Sequence, residues 1–438
     1  MLSPNDTRPR ALVASAAAVA LLADACGRAD APASGAASGA ASAVRFDTLP
    51  SPAPAGARWP HLAADDGGRV YLTWLEPAAD SAPNGDAAAR DTVWRVRFAT
   101  LDRGAASWSA PRTVAEGRDL VVNWTDFPAV VPLGGGRLGA QWPVRDPRAR
   151  AAYGPRVALS ADGGATWTPA VAPHRSPAQG APPPAEYDFA VLLPAAGDSL
   201  GVAWLDGRAG AATGSENYSL YFTTLSASGA LGAERVIDTL TCACCRNAVA
   251  RTRRGVALAF RNRTPDETRD IHVRRYEGGT WSGATPVHAD GWHIEGCPVN
   301  GAAAAALGDS LAVAWYTGAG DSARVQVAFS RDGGRTFGAP VRVDDGAPVG
   351  RAGAALTPRG DALVSWIERA GPDAELRVRL VRADGGRAPA RAVAPSAAQR
   401  ASGVPQLVAV GDTAYLAWTV PVARGGVPSV RVARGAIR

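Results

Sequence analysis

Along most of the chain a glycine-containing turn leads into a strand-length stretch of alternating apolar side chains that ends on an aromatic residue. Gly308 followed by Leu311, Val313 and Trp315 shows the pattern. A period of two sends successive side chains to opposite faces of a strand, and a glycine supplies positive φ in the tight turn without a Cβ clash. The aromatics Trp74, Trp142, Trp204, Phe260, Trp315, Trp366 and Trp418 recur at intervals of 51 to 68 residues. Each stands five to seven residues after one of Gly68, Gly136, Gly197, Gly255, Gly308, Gly360 and Gly411. That repeat length suits a four-stranded propeller blade with loops of varying size. A second hairpin follows each first one, as in Val325 to Ser330 before Gly338 to Val343. Two hairpins make one blade. The last unit reaches Arg438 with three evident strands, while residues 44–48 form a strand ahead of the first unit. Pairing the two closes the ring and removes exposed sheet edges. The expectation is therefore an all-β fold, a β-propeller of four-stranded blades, with seven blades as the leading count and six as the alternative. The seven aromatics are read as packing between blades.

Composition adds little to the fold but narrows the partners. The chain has 46 basic and 40 acidic residues, and every basic one is arginine. The arginines are interleaved with Asp and Glu and form no long basic run, so no nucleic-acid footprint is indicated. Arg8 and Arg10 precede an apolar run from Ala11 to Ala23, which reads as an export signal over residues 1–25. As a helix that run spans only about 20 Å, short of the ~30 Å hydrocarbon core. Cys26 follows small residues as in a bacterial lipoprotein site, with ordinary cleavage before the same cysteine as the alternative. Residues 26–44, rich in Ala, Gly, Ser, Asp and Pro, read as a disordered tether. Residues 45–438 form the single propeller domain. The expected location is the bacterial cell envelope, lipid-anchored or periplasmic, with membrane contact only through Cys26 and a monomeric chain.

Two of the second hairpins carry a sharper pattern, Ser160-x-Asp162-x-Gly164-x-Thr166-Trp167 and Ser330-x-Asp332-x-Gly334-x-Thr336-Phe337. Degenerate copies run from Asp102 to Trp108, from Glu277 to Trp281 and from Asp384 to Gly386. A carboxylate and a hydroxyl satisfy turn backbone groups while glycine takes the left-handed position. The pattern resembles the Asp box, or bacterial neuraminidase repeat, of the sialidase superfamily. The resemblance implies a propeller with its active site on the face opposite the boxes, where three arginines clamp the substrate carboxylate. It also implies a tyrosine nucleophile paired with a glutamate, and an aspartate that protonates the leaving group. The family's first arginine lies in a Phe-Arg-Ile-Pro motif, matched here by Ala57, Arg58, Trp59 and Pro60, so Arg58 is the one catalytic residue carried over. Sialidases have six blades, and the spacing of Arg246, Arg261, Arg351, Glu368 and Tyr415 does not reproduce theirs.

The loops entering each inner strand and leaving each second strand converge on one face. Arg246, Arg351, Asp126, Asp206 and Tyr316 are the substrate-binding candidates there, beside Glu186 and Asp188. Arginine suits a carboxylate through its planar fork, and Asp or Glu suits general acid work. The expected ligand is a glycan or acidic sugar, with binding easier to achieve than exo-sialidase-type hydrolysis. The alternative is a non-catalytic protein-binding or metal-handling propeller. Cys242, Cys244 and Cys245 lie in the loop entering the fourth unit, and Cys297 in the loop entering the fifth. In an exported protein these read as disulfides, with Cys297 bridging to one of the triplet, or alternatively as a copper or zinc site aided by His293. No cofactor is otherwise required.

Overall fold

The computed structural model describes residues 44–78, 92–149, 151–174, 184–195, 198–422 and 426–437, all within the compact unit Ala41–Arg438. The residues expected to form the export signal, most of those expected to form the tether, and Cys26 lie outside the described residues. Seven antiparallel sheets follow one another along the chain. Their inner strands are Arg58–Ala64, Ala129–Gly134, Tyr187–Pro194, Ala248–Thr252, Ala303–Leu307, Pro348–Leu356 and Gln406–Val410. We number the blades 1 to 7 in that order. In blade 2 three strands are joined by a single bridge, Val157 to Val171, in place of a full fourth strand. The outer edge of blade 4 is split between Thr280–Trp281 and Thr285–Pro286.

Blade 7 closes as the sequence pattern requires. Arg45–Leu49 pairs antiparallel with Ser429–Ala436, in the register Arg45 to Ala436 through Leu49 to Val432. The first strand of the domain is thus hydrogen-bonded to its last.

Seven hydrophobic clusters account for the seven interfaces between neighbouring blades. Val157 and Leu159 of blade 2 meet Trp204 and Leu200 of blade 3, for example, while Leu72 and Trp74 of blade 1 meet Tyr415 and Val432 of blade 7. Each second strand is sandwiched between two such clusters. Leu200–Asp206 is accordingly buried at every position, whereas the outer strand Arg112–Gly117 has no buried position. All seven repeat aromatics are buried in these clusters. This explains why the aromatic, rather than any polar residue, carries the repeat.

The two intact Ser-x-Asp-x-Gly-x-Thr turns share one hydrogen-bond pattern. Gly164 N–H donates to Ser160 Oγ at 2.8 Å, and Thr166 donates its amide and hydroxyl to Asp162 at 2.9 and 2.6 Å. Ser330, Asp332, Gly334 and Thr336 repeat these bonds within 0.1 Å. Gly164 has φ +86°, and a Cβ there would fall 2.3 Å from the Phe98 ring of blade 1. The turns dock on the first-hairpin turns of their own blades through Gly163 N–H to Gly136 O and Gly333 N–H to Asp309 O. They therefore sit at the end opposite the inner-strand starts.

Candidate functional site

At the other end, several inner strands enter the channel through backbone that L-residues rarely adopt. Trp59 in blade 1, Phe189 in blade 3 and Arg351 in blade 6 have φ of 53°, 50° and 57°, and Val299, ahead of blade 5, has 50°. The pairing of the inner with the second strand shifts register between Arg58 and His61 and between Gly350 and Gly353. Left-handed non-glycine residues cost about 1–3 kcal/mol each, and bulges re-aim side chains where they occur. Asp198, Glu267 and Asp321 also have positive φ, but outside the strands; within the inner strands the left-handed non-glycine residues are those at the channel mouth.

Blades 2 and 3 contribute a cluster of acids and tyrosines. Asp126 precedes the inner strand of blade 2, Glu186 and Asp188 open that of blade 3, and Tyr153 and Tyr218 each begin a third strand. Asp126 and Asp188 are only 4% and 3% exposed. Tyr153 donates its hydroxyl to Asp188 Oδ2 at 3.3 Å and also interacts with Asp126. Tyr218 donates to Glu186 Oε2 at 2.9 Å. Oδ1 of Asp188 has no hydrogen-bond partner among the described residues.

Burial and crowding set the protonation of this cluster. Burial pushes Asp126 up to about 7, and Glu186 adds to the rise, while the Phe189 amide, Arg246 and the Tyr153 hydroxyl oppose it. Asp188 rises well above the usual carboxylate range through burial and the neighbouring Asp126 and Glu186. Tyr153 and Tyr218 rise for the same reasons, burial first and carboxylates second. A carboxyl that titrates near neutrality, as Asp126 does, can donate its proton, and carboxyls raised by burial on one face are the pattern of acid–base sites.

Arg246 joins this cluster to the channel. Its guanidinium lies 4.0 Å from the centre of the Phe127 ring and feels the charge of Asp126, but makes no hydrogen bond or ion pair among the described residues. Burial lowers it to about 10. It lines a channel cavity of about 180 Å³ with His61, Asn247, Asn300, Arg351 and Gln406, and no carboxylate is among the lining residues. Burial and the Arg246 charge lower His61 to about 3, so its imidazole is neutral. His61 Nδ1 and Asn247 Oδ1 have no partner among the described residues. The site is therefore polarised, with a cationic channel on one side of Arg246 and protonatable acids on the other.

The remaining expected residues are placed differently. Arg58 donates to Gly56 O at 3.3 Å and stacks 4.8 Å over Trp94, at the side of blade 1. Arg351 reaches the cavity, but its guanidinium donates to Ser402 Oγ and to the carbonyls of Gly403 and Ala398, so it ties blade 6 to the loop before blade 7. Asp206 is fully buried and accepts from the Trp204 indole at 2.8 Å while pairing with Arg208 at 2.7 Å. The same Trp-x-acid bond joins Trp74 to Glu76 and Trp366 to Glu368. Tyr316 is half-buried against Trp292. Tyr153 and Tyr218 were not among the expected residues. Their signal was a tyrosine in the first position of the third strand in two successive units, visible only once the blades are aligned on each other.

The cysteines cluster between blades 4 and 5. Cys244 and Cys297 form a disulfide, as expected of Cys297 and one of the triplet, with Cα atoms 5.9 Å apart. Cys242 and Cys245 are free and buried, and the sulfurs of 242, 244 and 245 lie within 4.8 Å of one another. Cys242 Sγ is 3.5 Å from the Arg269 guanidinium. The hydrogen bond between Cys242 and Cys245, with the Cys244 amide, Arg261 and Arg269, draws the Cys242 thiol down, while burial pushes Cys245 up. His293 is exposed beside Glu295, outside that sulfur group. With Cys244 bonded to Cys297, the thiols left to hold copper or zinc are Cys242 and Cys245.

No protein-family model and no curated protein matches the sequence. Solved structures do match in fold. One is a Dyadobacter fermentans protein of unknown function, 15% identical over 90% of this chain and 99% of that one, with a TM-score of 0.47. Another is the NanB sialidase of Streptococcus pneumoniae, 13% identical over 87% of this chain and 68% of that one, TM-score 0.43. A third is an α-L-arabinofuranosidase of Fusarium graminearum, 14% identical over 86% and 92%, TM-score 0.47. The likeness is one of fold.

Proposed function

We propose that this protein is an exported propeller that binds an acidic sugar at the mouth of its channel and cleaves the glycosidic bond beside it by acid–base chemistry. The observation that carries the reading is Arg246, without a hydrogen bond or ion pair among the described residues, between a carboxylate-free cavity and the buried Asp126, Asp188 and Tyr153. A ligand carboxylate placed in the cavity meets Arg246 without facing an ionised acid, and burial strengthens that attraction. The glycosidic oxygen then lies toward the acids. A protonated Asp126 donates to the leaving oxygen, and the 2.9 Å Tyr218–Glu186 pair supplies a nucleophile whose proton the glutamate takes. Because Tyr218 holds its proton tightly, attack depends on Glu186. The pair matches the tyrosine and glutamate that the sialidase resemblance implies, whereas Arg246 stands where that resemblance implies three arginines.

The test is a panel of aryl glycosides of sialic and uronic acids, with the corresponding neutral sugars as controls, assayed from pH 4 to 9. Release from an acidic glycoside that falls above pH 7 and is lost in Asp126→Asn supports the reading. Turnover of neutral glycosides alone, or of none, overturns it.

A further inference from the structure

Outside the sugar site, the four cysteines of the domain bring their sulfur atoms together, with those of Cys242, Cys244 and Cys245 in a compact triangle. Cys245 Sγ lies 3.1 Å from Cys242 Sγ, Cys242 Sγ lies 3.8 Å from Cys244 Sγ, and Cys244 is bonded to Cys297. Accessibility changes across the group. Cys242 and Cys245 are each 1% exposed, Cys244 is half-buried in the channel wall and Cys297 is exposed. A structural bridge between two loops needs two cysteines, and a thiol pair held at van der Waals contact behind it adds nothing to that bridge. Cys242 and Cys245 also have the Cys-x-x-Cys spacing that closes readily into a disulfide of its own. The Arg269 guanidinium beside Cys242 favours a thiolate at the sulfur nearest the existing disulfide.

We propose that these cysteines form a thiol–disulfide exchange site in which the bridge moves between Cys244–Cys297 and Cys242–Cys245. The Cys242 thiolate attacks Cys244 Sγ, forming the 242–244 bond as the 244–297 bond breaks, and Cys297 leaves as a thiolate. Cys245, losing its proton, then attacks Cys242 and displaces Cys244. Two electrons and two protons pass from the buried pair to the outer pair, and no external oxidant is needed. The exchange unties the loop entering blade 4 from that entering blade 5 and leaves an exposed thiol at Cys297. That thiol is the point at which a small disulfide or a partner's disulfide is reduced, so the site has an activity of its own.

The experiment uses the full chain carrying Cys26→Ala, purified without reductant and shown to hold two free thiols. It is incubated at pH 8 with N-ethylmaleimide, which traps Cys297 whenever it is released, and digested for peptide mass mapping. The expected product carries N-ethylmaleimide on the Cys297 peptide together with a disulfide inside the peptide spanning 236–246, at a rate unchanged by tenfold dilution. Labelling of Cys297 is lost in Cys242→Ser. If Cys297 stays cross-linked and unlabelled while the protein is folded, the proposal is overturned, and this wild-type arm decides it even where a serine variant fails to fold. Labelling of Cys297 that persists in a folded Cys242→Ser chain overturns it equally.

Discussion

Arg246 and Asp126 define what single residues contribute. Among the described residues Arg246 makes no hydrogen bond or ion pair and only stacks on Phe127, so removing it is expected to cost the fold less than the ligand. Arg246→Ala is expected to weaken binding of N-acetylneuraminic acid by roughly 1.5–3 kcal/mol, the usual contribution of a charged hydrogen bond, as read by calorimetry. Arg58→Ala, at the Trp94 stack, is expected to leave that affinity within a few-fold. Asp126 makes the opposite exchange. Its carboxyl titrates near 7 in the folded chain and near 4 in the unfolded one, so the folded state binds the extra proton between those values. Stability contributed by keeping that proton is complete below about pH 4 and is lost as pH rises toward 7. Asp126→Asn removes the loss and is expected to raise stability at pH 8 by up to about 4 kcal/mol while leaving it unchanged at pH 4, by denaturant titration at both values. No gain at pH 8 would show that Asp126 is ionised without cost. These residues were only half legible in the sequence. Asp126 and Arg246 were visible as loop polars, but Asp206 and Glu368 looked the same, and only coordinates reveal that both are acceptors for an indole two residues earlier. Local sequence records that a polar residue exists and not which buried donor claims it.

At the scale of elements, the glycine turn, the buried second strand and the Asp-box hairpin are all short-range and were readable for that reason. The hairpin stores its energy in the carboxylate, and the Thr166 hydroxyl and amide hold Asp162 below the usual carboxylate range. Asp162→Ala is expected to lower the melting temperature by a few degrees and spare sugar affinity, because the turn sits at the far end of the blade. An equal loss of affinity would mean the two ends are coupled. Trp204→Ala acts on an interface between blades and is expected to cost roughly 3–5 kcal/mol. The inner-strand bulges were not readable, since Trp59, Phe189 and Arg351 carry none of the glycine or asparagine that normally marks positive φ. Packing at the channel mouth imposes that conformation against local preference.

Across the whole molecule, closure depends on five residues at one end of the domain. Arg45–Leu49 completes blade 7, and Val44 and Leu49 sit in the clusters on its two sides. A chain beginning after Leu49 is expected to expose the Ser429–Ala436 edge and to self-associate, as measured by light scattering. The ring matters to function because the polarised site is assembled from separate blades, with Asp126 and Tyr153 from blade 2, Asp188 and Tyr218 from blade 3, and Arg246 from the entry to blade 4. The central claim is that this mouth holds an acidic sugar with its carboxylate on Arg246. A crystal structure of the protein grown with N-acetylneuraminic acid tests it most directly. The account predicts the sugar carboxylate within hydrogen-bond distance of the Arg246 guanidinium and the anomeric carbon turned toward Asp126 and Asp188. A sugar seated on the Asp-box face, or with its carboxylate away from Arg246, would contradict it.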